Sequence, residues 1–257
     1  MSSTRTLGMP KFIDFETIGA CNRVCPTCIR NSHPDKAEIS SWFSGSLLSV
    51  DVIRKALDEC SAGGFRGGVC LSHYNEPLMD ERIAEIAKLA KSYDRFHPIF
   101  LNTNGDFITP ELAESLDGVL DNIIVSLYME KSKRVERAEW ISSLFKKTRV
   151  DACIMSDHIA THYSPKFDVV ALAEKHKDHA CHETKIRVII NHRRQFLLCC
   201  DDVVGNFDLG YFPDITIGEY WLGERHTTIV RDLERFGGRN LYSHCRTCPR
   251  VGERVCE

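Results

Sequence analysis

Through the first two thirds of the chain, short apolar runs alternate with stretches of helical period. That alternation restricts the fold more than any other feature of the sequence. Residues 12–16 read as a strand, and Val50–Ala62 sets Val52, Ile53, Ala56 and Leu57 at helical spacing. Residues 68–72 are strand-like, and residues 80–93 carry Ile83, Ile86, Ala87 and Leu89 on one helical face. Residues 98–102, 123–127 and 150–155 supply three more strands. Thr109-Pro110-Glu111 opens a helix with a capping residue and Pro at its first position, and Ser132 is the expected cap of another that runs to Lys147. Short apolar strands separated by helices predict an α/β chain with a parallel sheet and right-handed crossovers. In such sheets ligands sit at the carboxyl ends of the strands.

The pattern changes after residue 165. Residues 185–190 and 195–198, joined by Asn191-His192-Arg193-Arg194, predict a hairpin, and a helix is expected over 217–236, stopped by Gly237-Gly238. The expected division is a core domain at 1–165 and a small C-terminal hairpin-plus-helix unit at 166–257, with no internal repeat. A chain with 43% hydrophobic and 27% charged residues can bury a core and is not disordered. Its net charge of −3 gives no electrostatic case for general nucleic-acid binding. No apolar run reaches the ~18 residues of a membrane helix, and the start of the chain leads to no apolar leader, so a cytoplasmic protein is expected.

Cysteine is the anomaly. Twelve in 257 residues lies below the roughly 8–10% of disulfide scaffolds, and clustered thiols in a reducing compartment point to metal or catalysis. Cys21-Asn22-Arg23-Val24-Cys25-Pro26-Thr27-Cys28 follows directly on the first strand. Three thiolates on one loop can bind three irons of a 4Fe–4S cube and leave the fourth iron open to a substrate or cofactor. A structural zinc site wants four closed ligands, and no further Cys or His follows until His33, so the spacing favours a cluster over zinc.

These residues resemble the radical S-adenosylmethionine (SAM) enzymes, which carry Cys-x3-Cys-x2-Cys on the loop after the first strand of an alternating β/α chain. His73-Tyr74-Asn75-Glu76-Pro77-Leu78 falls where that superfamily has a Gly-Gly-Glu-Pro-like segment contacting the SAM amino group. Leu101-Asn102-Thr103-Asn104-Gly105 resembles its frequent Thr-Asn-Gly turn, and Val125-Ser126-Leu127 falls where a Ser commonly holds the SAM carboxylate or ribose. Two positions depart from the pattern. Thr27 stands where an aromatic residue is usual, and Tyr74-Asn75 replace the glycine pair. The resemblance implies a partial (β/α) barrel with Cys21, Cys25 and Cys28 as cluster ligands. It implies SAM contacts from Tyr74, Asn75, Glu76, Asn102, Asn104, Ser126 and Met155. It also implies reductive cleavage of SAM to a 5′-deoxyadenosyl radical that abstracts a substrate hydrogen, with electrons from a donor such as a flavodoxin or ferredoxin.

Cys181, Cys199, Cys200, Cys245 and Cys248 form a second group, with Cys256 at the tail. Cys181 precedes the hairpin, Cys199-Cys200 closes it, and Cys245-x2-Cys248 is a tight pair; spacing alone leaves zinc and Fe–S open. Leu198-Cys199-Cys200-Asp201-Asp202, Ile217-Gly218-Glu219-Tyr220-Trp221, Arg231 and the last pair are similar to the twitch/SPASM extensions of radical SAM enzymes. That resemblance implies a second, auxiliary 4Fe–4S cluster on Cys181, Cys199, Cys245 and Cys248, with Cys200 as the substitute for Cys199 and no role for Cys256. It further implies two-electron oxidation of a small polar, sugar- or aminocyclitol-like substrate, with the auxiliary cluster taking the second electron. Peptide modification is the alternative, and a zinc-stabilised non-enzymatic binding protein is the competitor outside the family. Cys60, Cys70 and Cys153 sit in apolar patterns and read as core thiols. The eleven His show no paired-ligand spacing and read as surface or packing residues; the general base is not identified.

Overall fold

The computed structural model describes residues 7–26, 28–153 and 167–250. Strands β1 (Phe12–Phe15), β2 (Gly68–Cys70), β3 (Ile99–Thr103), β4 (Asn122–Ser126) and β5 (Arg149–Cys153) pair in parallel, each with the next. β6 (Arg187–Ile190) pairs in parallel with the free side of β1, and β7 (Phe196–Leu197) returns antiparallel to β6. The sheet therefore runs β5-β4-β3-β2-β1-β6-β7 and stays open, a partial barrel as expected. Helices α1 (Ile29–Ser32), α2 (Lys36–Trp42), α3 (Val50–Ala62), α4 (Ile83–Lys91), α5 (Pro110–Leu116) and α6 (Lys131–Leu144) fill the crossovers. After β5 come α7 (Val169–His176), α8 (Ile217–Leu222), α9 (Glu224–Leu233) and α10 (Ser243–Arg246). Among the described residues no helix is long and apolar enough to cross a membrane.

The alternation of strand side chains decides which face is dry. Ile13, Phe15, Val69, Ile99, Leu101, Ile123 and Val125 join the core with Ile53, Leu57, Ile86, Ala90, Leu116 and Ile141 of the helices. The intervening positions, Asp14, Cys70, Asn102 and Ser126, line a cavity on the other face. Caps mark the predicted helix starts: Ser49 accepts from Asp51 N (3.2 Å), and Thr109 accepts from Leu112 N (3.2 Å) ahead of Pro110.

The structure corrects three details of the sequence reading. Glu130, not Ser132, occupies the cap position of α6, without a side-chain cap, and Ser132 lies inside the helix. The single helix expected over 217–236 is two, because Gly223 is extended (ψ 152°) and a Cβ there would stand 2.3 Å from the Glu219 carbonyl oxygen. A capping box of Thr216 and Glu219 starts the first of them. The hairpin also continues the main sheet through β6, because Val188, Ile189 and Ile190 are completely buried beside β1.

Tyr220 fastens α8 to this sheet. It is 2% exposed, stacks on Phe196 at 4.3 Å between ring centroids, and donates to the Leu197 carbonyl at 3.2 Å. Tyr220→Phe should lower unfolding free energy by about 1–2 kcal/mol, since the carbonyl is left buried and unpaired. Tyr220→Ala should cost about 3–5 kcal/mol through the cavity it leaves. Urea denaturation checks both, and equal losses for the two variants would contradict this account.

Candidate active site at the strand ends

The loops after β1, β2, β3 and β4 meet around a cavity of about 320 Å³, a size suited to a cofactor or small ligand. Cys21, Cys25 and Cys28 line it, together with Tyr74, Asn75, Glu76, Asn102, Asn104 and Ser126. Met155, Thr27 and Cys256 lie outside the described residues. A larger cavity of about 850 Å³ lies beside α9 and α10, but no cysteine lines it, so the chemistry belongs to the smaller one.

The cysteine loop is held from the neighbouring strand end. Asp106 accepts from Arg23 through both oxygens (2.7 and 2.5 Å) and from Asn22 (2.7 Å), while Asn104 donates to the Asn22 side-chain oxygen at 2.8 Å. Arg30 donates to the Cys21 carbonyl at 2.5 Å. Burial pushes the Cys28 thiol up to about 11 and also raises Cys25. Buried thiols of this kind become thiolates when a metal holds the charge, so this donor set fits an iron–sulfur cluster.

Glu76 is the joint of the rim. It is 2% exposed; one oxygen accepts from Thr103 Oγ1 (2.6 Å) and Leu78 N (3.1 Å), the other from Asn104 N (2.7 Å). These bonds occupy the carboxylate in binding the β2 end to the β3 end, although it also lines the cavity. Burial raises its pKa, opposed by the Asn104 and Thr103 bonds. Asn102 bonds Ser72 Oγ through both its backbone N (2.9 Å) and its side chain (3.1 Å), which fixes the cavity floor beside Cys70.

The second cysteine group is also brought together. The Cys245 thiol feels Cys181 and Cys248, Cys199 feels Cys245, and Cys248 feels Cys181. Burial drives all four up, Cys248 to about 12. Cys200 parts from its neighbour: it lines the cavity and accepts from Arg250 Nη1 at 3.5 Å. Asp201 bridges the two regions, accepting from Tyr74 Oη (3.3 Å), pairing with Arg250 Nε (2.5 Å) and accepting from the Cys248 thiol (3.7 Å). Among the described residues, no three His, Cys, Asp or Glu side chains converge as they would on a single ion.

Sequence reasoning missed several cavity residues. His73, Asp14, Arg187 and Arg250 line it, as does Cys70, read as a core thiol and in fact 2% exposed at the floor. Arg187 pairs with Asp14 at 2.5 Å and lies over the Phe12 ring. His73 was grouped with packing histidines. Its ring packs edge-on against Tyr74, yet its Nε2 is buried without a hydrogen-bond partner. Burial holds its pKa down to about 4, against the pull of Glu16, so the imidazole is neutral at ordinary pH. Alternation along β1 and β2 is the signal available for Asp14 and Cys70, and His73 opens the segment that ends β2; nothing local in the sequence marks Arg187 or Arg250.

Residues 15–129 match the Radical SAM superfamily, a span that contains the three-cysteine loop and the ends of β2, β3 and β4. That span therefore reads as a radical SAM domain, which implies SAM and a 4Fe–4S cluster. Among its relatives, the S-adenosyl-L-methionine-dependent 2-deoxy-scyllo-inosamine dehydrogenase of Niallia circulans is 21% identical over 241 residues, 93% of this chain and 92% of that protein. The GTP 3′,8-cyclase of Clostridium perfringens is 24% identical over 205 residues, 77% of this chain; the match spans 54% of that protein. The crystal structure of BtrN in complex with AdoMet and 2-DOIA shares the fold at a TM-score of 0.76 and 18% identity, covering 95% of this chain and 94% of that one.

Glu76→Ala should destabilise the protein by about 2–3 kcal/mol, because it leaves buried donors on Thr103 and Asn104 unpaired. Amide exchange at Asn104 and Gly105 should accelerate in the same variant. Unchanged exchange at both amides would show that Glu76 does not hold the rim.

Proposed function

We propose that this chain oxidises a small polar substrate by two electrons, the substrate seated between a SAM-binding 4Fe–4S cluster and an auxiliary 4Fe–4S cluster. One observation carries the reading: a single cavity is lined both by Cys21, Cys25 and Cys28 and by Cys200 and Arg250, which adjoin the second cysteine group. The near full-length likeness to a 2-deoxy-scyllo-inosamine dehydrogenase supports an alcohol group on a sugar- or aminocyclitol-like ring as the target. When bound, SAM and the two clusters supply the radical that takes a hydrogen atom and the sink for the electron that follows.

The protein's residues do the rest. Cys21, Cys25 and Cys28 would hold the first cluster, and Cys181, Cys199, Cys245 and Cys248 the second. Tyr74, Asn75, Asn102, Asn104, Ser126 and Met155 would seat SAM, with Glu76 fixing the frame that they share. The hydroxyl proton needs an acceptor inside the cavity, and the neutral His73 offers Nε2. Asp14 and Arg187 border the same space with polar, charged groups suited to a hydroxylated ring. A low-potential donor such as a flavodoxin or ferredoxin would supply the starting electron.

Anaerobic reconstitution should give about eight irons per chain, with 5′-deoxyadenosine formed on adding SAM and dithionite. Cys25→Ala should leave about four irons and abolish SAM cleavage. Cys199→Ala should also leave about four, whereas Cys200→Ala should keep about eight. Zinc in place of iron, with no SAM cleavage, would overturn the reading.

With 2-deoxy-scyllo-inosamine as probe substrate, His73→Gln should still release 5′-deoxyadenosine but form ketone at least ~10²-fold more slowly. Wild-type turnover should show no loss from His73 protonation until the pH falls toward about 4, since protonation removes the acceptor. Full-rate ketone formation by His73→Gln would remove His73 from this role.

A further inference from the structure

We infer that Arg239 tunes the auxiliary cluster: its guanidinium donates to the cluster's sulfur shell and favours the reduced state, so that the cluster serves as an electron acceptor. The inference rests on the proposed occupancy of the Cys181, Cys199, Cys245 and Cys248 group by a 4Fe–4S cluster.

Arg239 is 1% exposed, the largest of the fully buried side chains among the described residues. The chain is bent to put it there. Gly237 adopts φ +76°, and a Cβ on Gly238 would stand 1.8 Å from the Asp232 carbonyl oxygen, so the Gly237-Gly238 pair turns the backbone tightly out of α9 into Arg239. Only one end of the guanidinium is used by the protein: Nη1 donates to the Arg250 carbonyl at 2.6 Å. Nε and Nη2 are both buried without a well-formed hydrogen bond, and the Cys181 thiol is within reach of the guanidinium.

A buried guanidinium with two idle donors is costly unless something anionic receives them. Among the described residues Arg239 forms no ion pair. The short turn that carries Arg239, residues 238–241, packs on α10, which holds Cys245, and the Tyr242 amide at the start of α10 donates to the Arg239 carbonyl at 3.2 Å. The second cysteine group thus lies beside one buried cation. A cluster on four thiolates is anionic, and reduction adds a further negative charge. A fixed positive group donating N–H bonds to its sulfurs stabilises the reduced form more than the oxidised form. The sulfurs would in turn satisfy Nε and Nη2.

The test is an EPR-monitored redox titration of full-length protein carrying Cys21→Ala, Cys25→Ala and Cys28→Ala, in which the auxiliary cluster alone gives the signal. Arg239→Gln and Arg239→Met should raise the oxidised-to-reduced ratio at fixed potential at least tenfold, a midpoint lower by 59 mV for one electron. Arg239→Lys, which keeps the charge and loses the fork, should shift it less than Gln. If the Met variant loses iron, the Gln and Lys pair decides. Full iron with an unmoved midpoint in Gln and Lys would overturn the inference and leave the proposed function standing. A parent chain with no iron at the second cysteine group would overturn both together.

Discussion

β1 is hydrogen-bonded in parallel on both sides, to β2 through Phe12↔Gly68 and to β6 through Phe12↔Arg187. The site depends on that double pairing. All three strands point their carboxyl ends the same way, so the loop after β1, with its three thiols, must emerge between the Glu76 turn and the turn after β6. Because β7 runs back antiparallel, the chain then returns toward the start of β6, bringing Cys200 to the cavity on the interior face of the sheet, with Cys199 next to it in the chain. Without β6 on β1, the second cysteine group would have no fixed relation to the first.

Buried polar groups then lock the layout. Glu16, just past β1, accepts from His192 Nδ1 (2.6 Å) in the hairpin turn and from Tyr74 N (3.3 Å) after β2. Burial alone would raise its pKa, but the His192 side-chain and backbone bonds together with the neighbouring imidazoles outweigh it, and the carboxyl lies below its ordinary value. Close approach is part of this arrangement: a Cβ at Gly19 would meet the His192 ring at 2.6 Å. Tyr74 continues the chain of contacts through Asp201 to Arg250 and Cys248, so a single polar path runs from the cavity rim to the second thiol group. Such networks hold their members in fixed positions, as the proposed chemistry requires.

Much of this was legible in the sequence. Periodicity gave the five parallel strands and α3 to the residue, and Cys-x3-Cys-x2-Cys with the turns at Glu76, Asn104 and Ser126 pointed to the domain that the family match establishes. What escaped has physical causes. Gly223 breaks a helix by backbone geometry that its hydrophobic period does not reveal, and the hairpin's place on β1 is a long-range pairing with no local mark. His73, Arg187 and Arg239 matter because of what they lack or face after folding; as isolated letters they resemble packing or surface residues. Cys199 and Cys200 are neighbours in sequence that part into two environments, a choice set by the turn after β7.

The central claim is that two separate thiol groups hold two iron clusters, one lining the cavity and one adjoining it through Cys200 and Arg250. Diffraction from anaerobic crystals, collected on either side of the iron absorption edge, tests it directly. Two compact anomalous peaks, one against Cys21, Cys25 and Cys28 and one against Cys181, Cys199, Cys245 and Cys248, are the predicted result. A peak at the first group alone, or a signal at the second group that appears at the zinc edge instead, would contradict it.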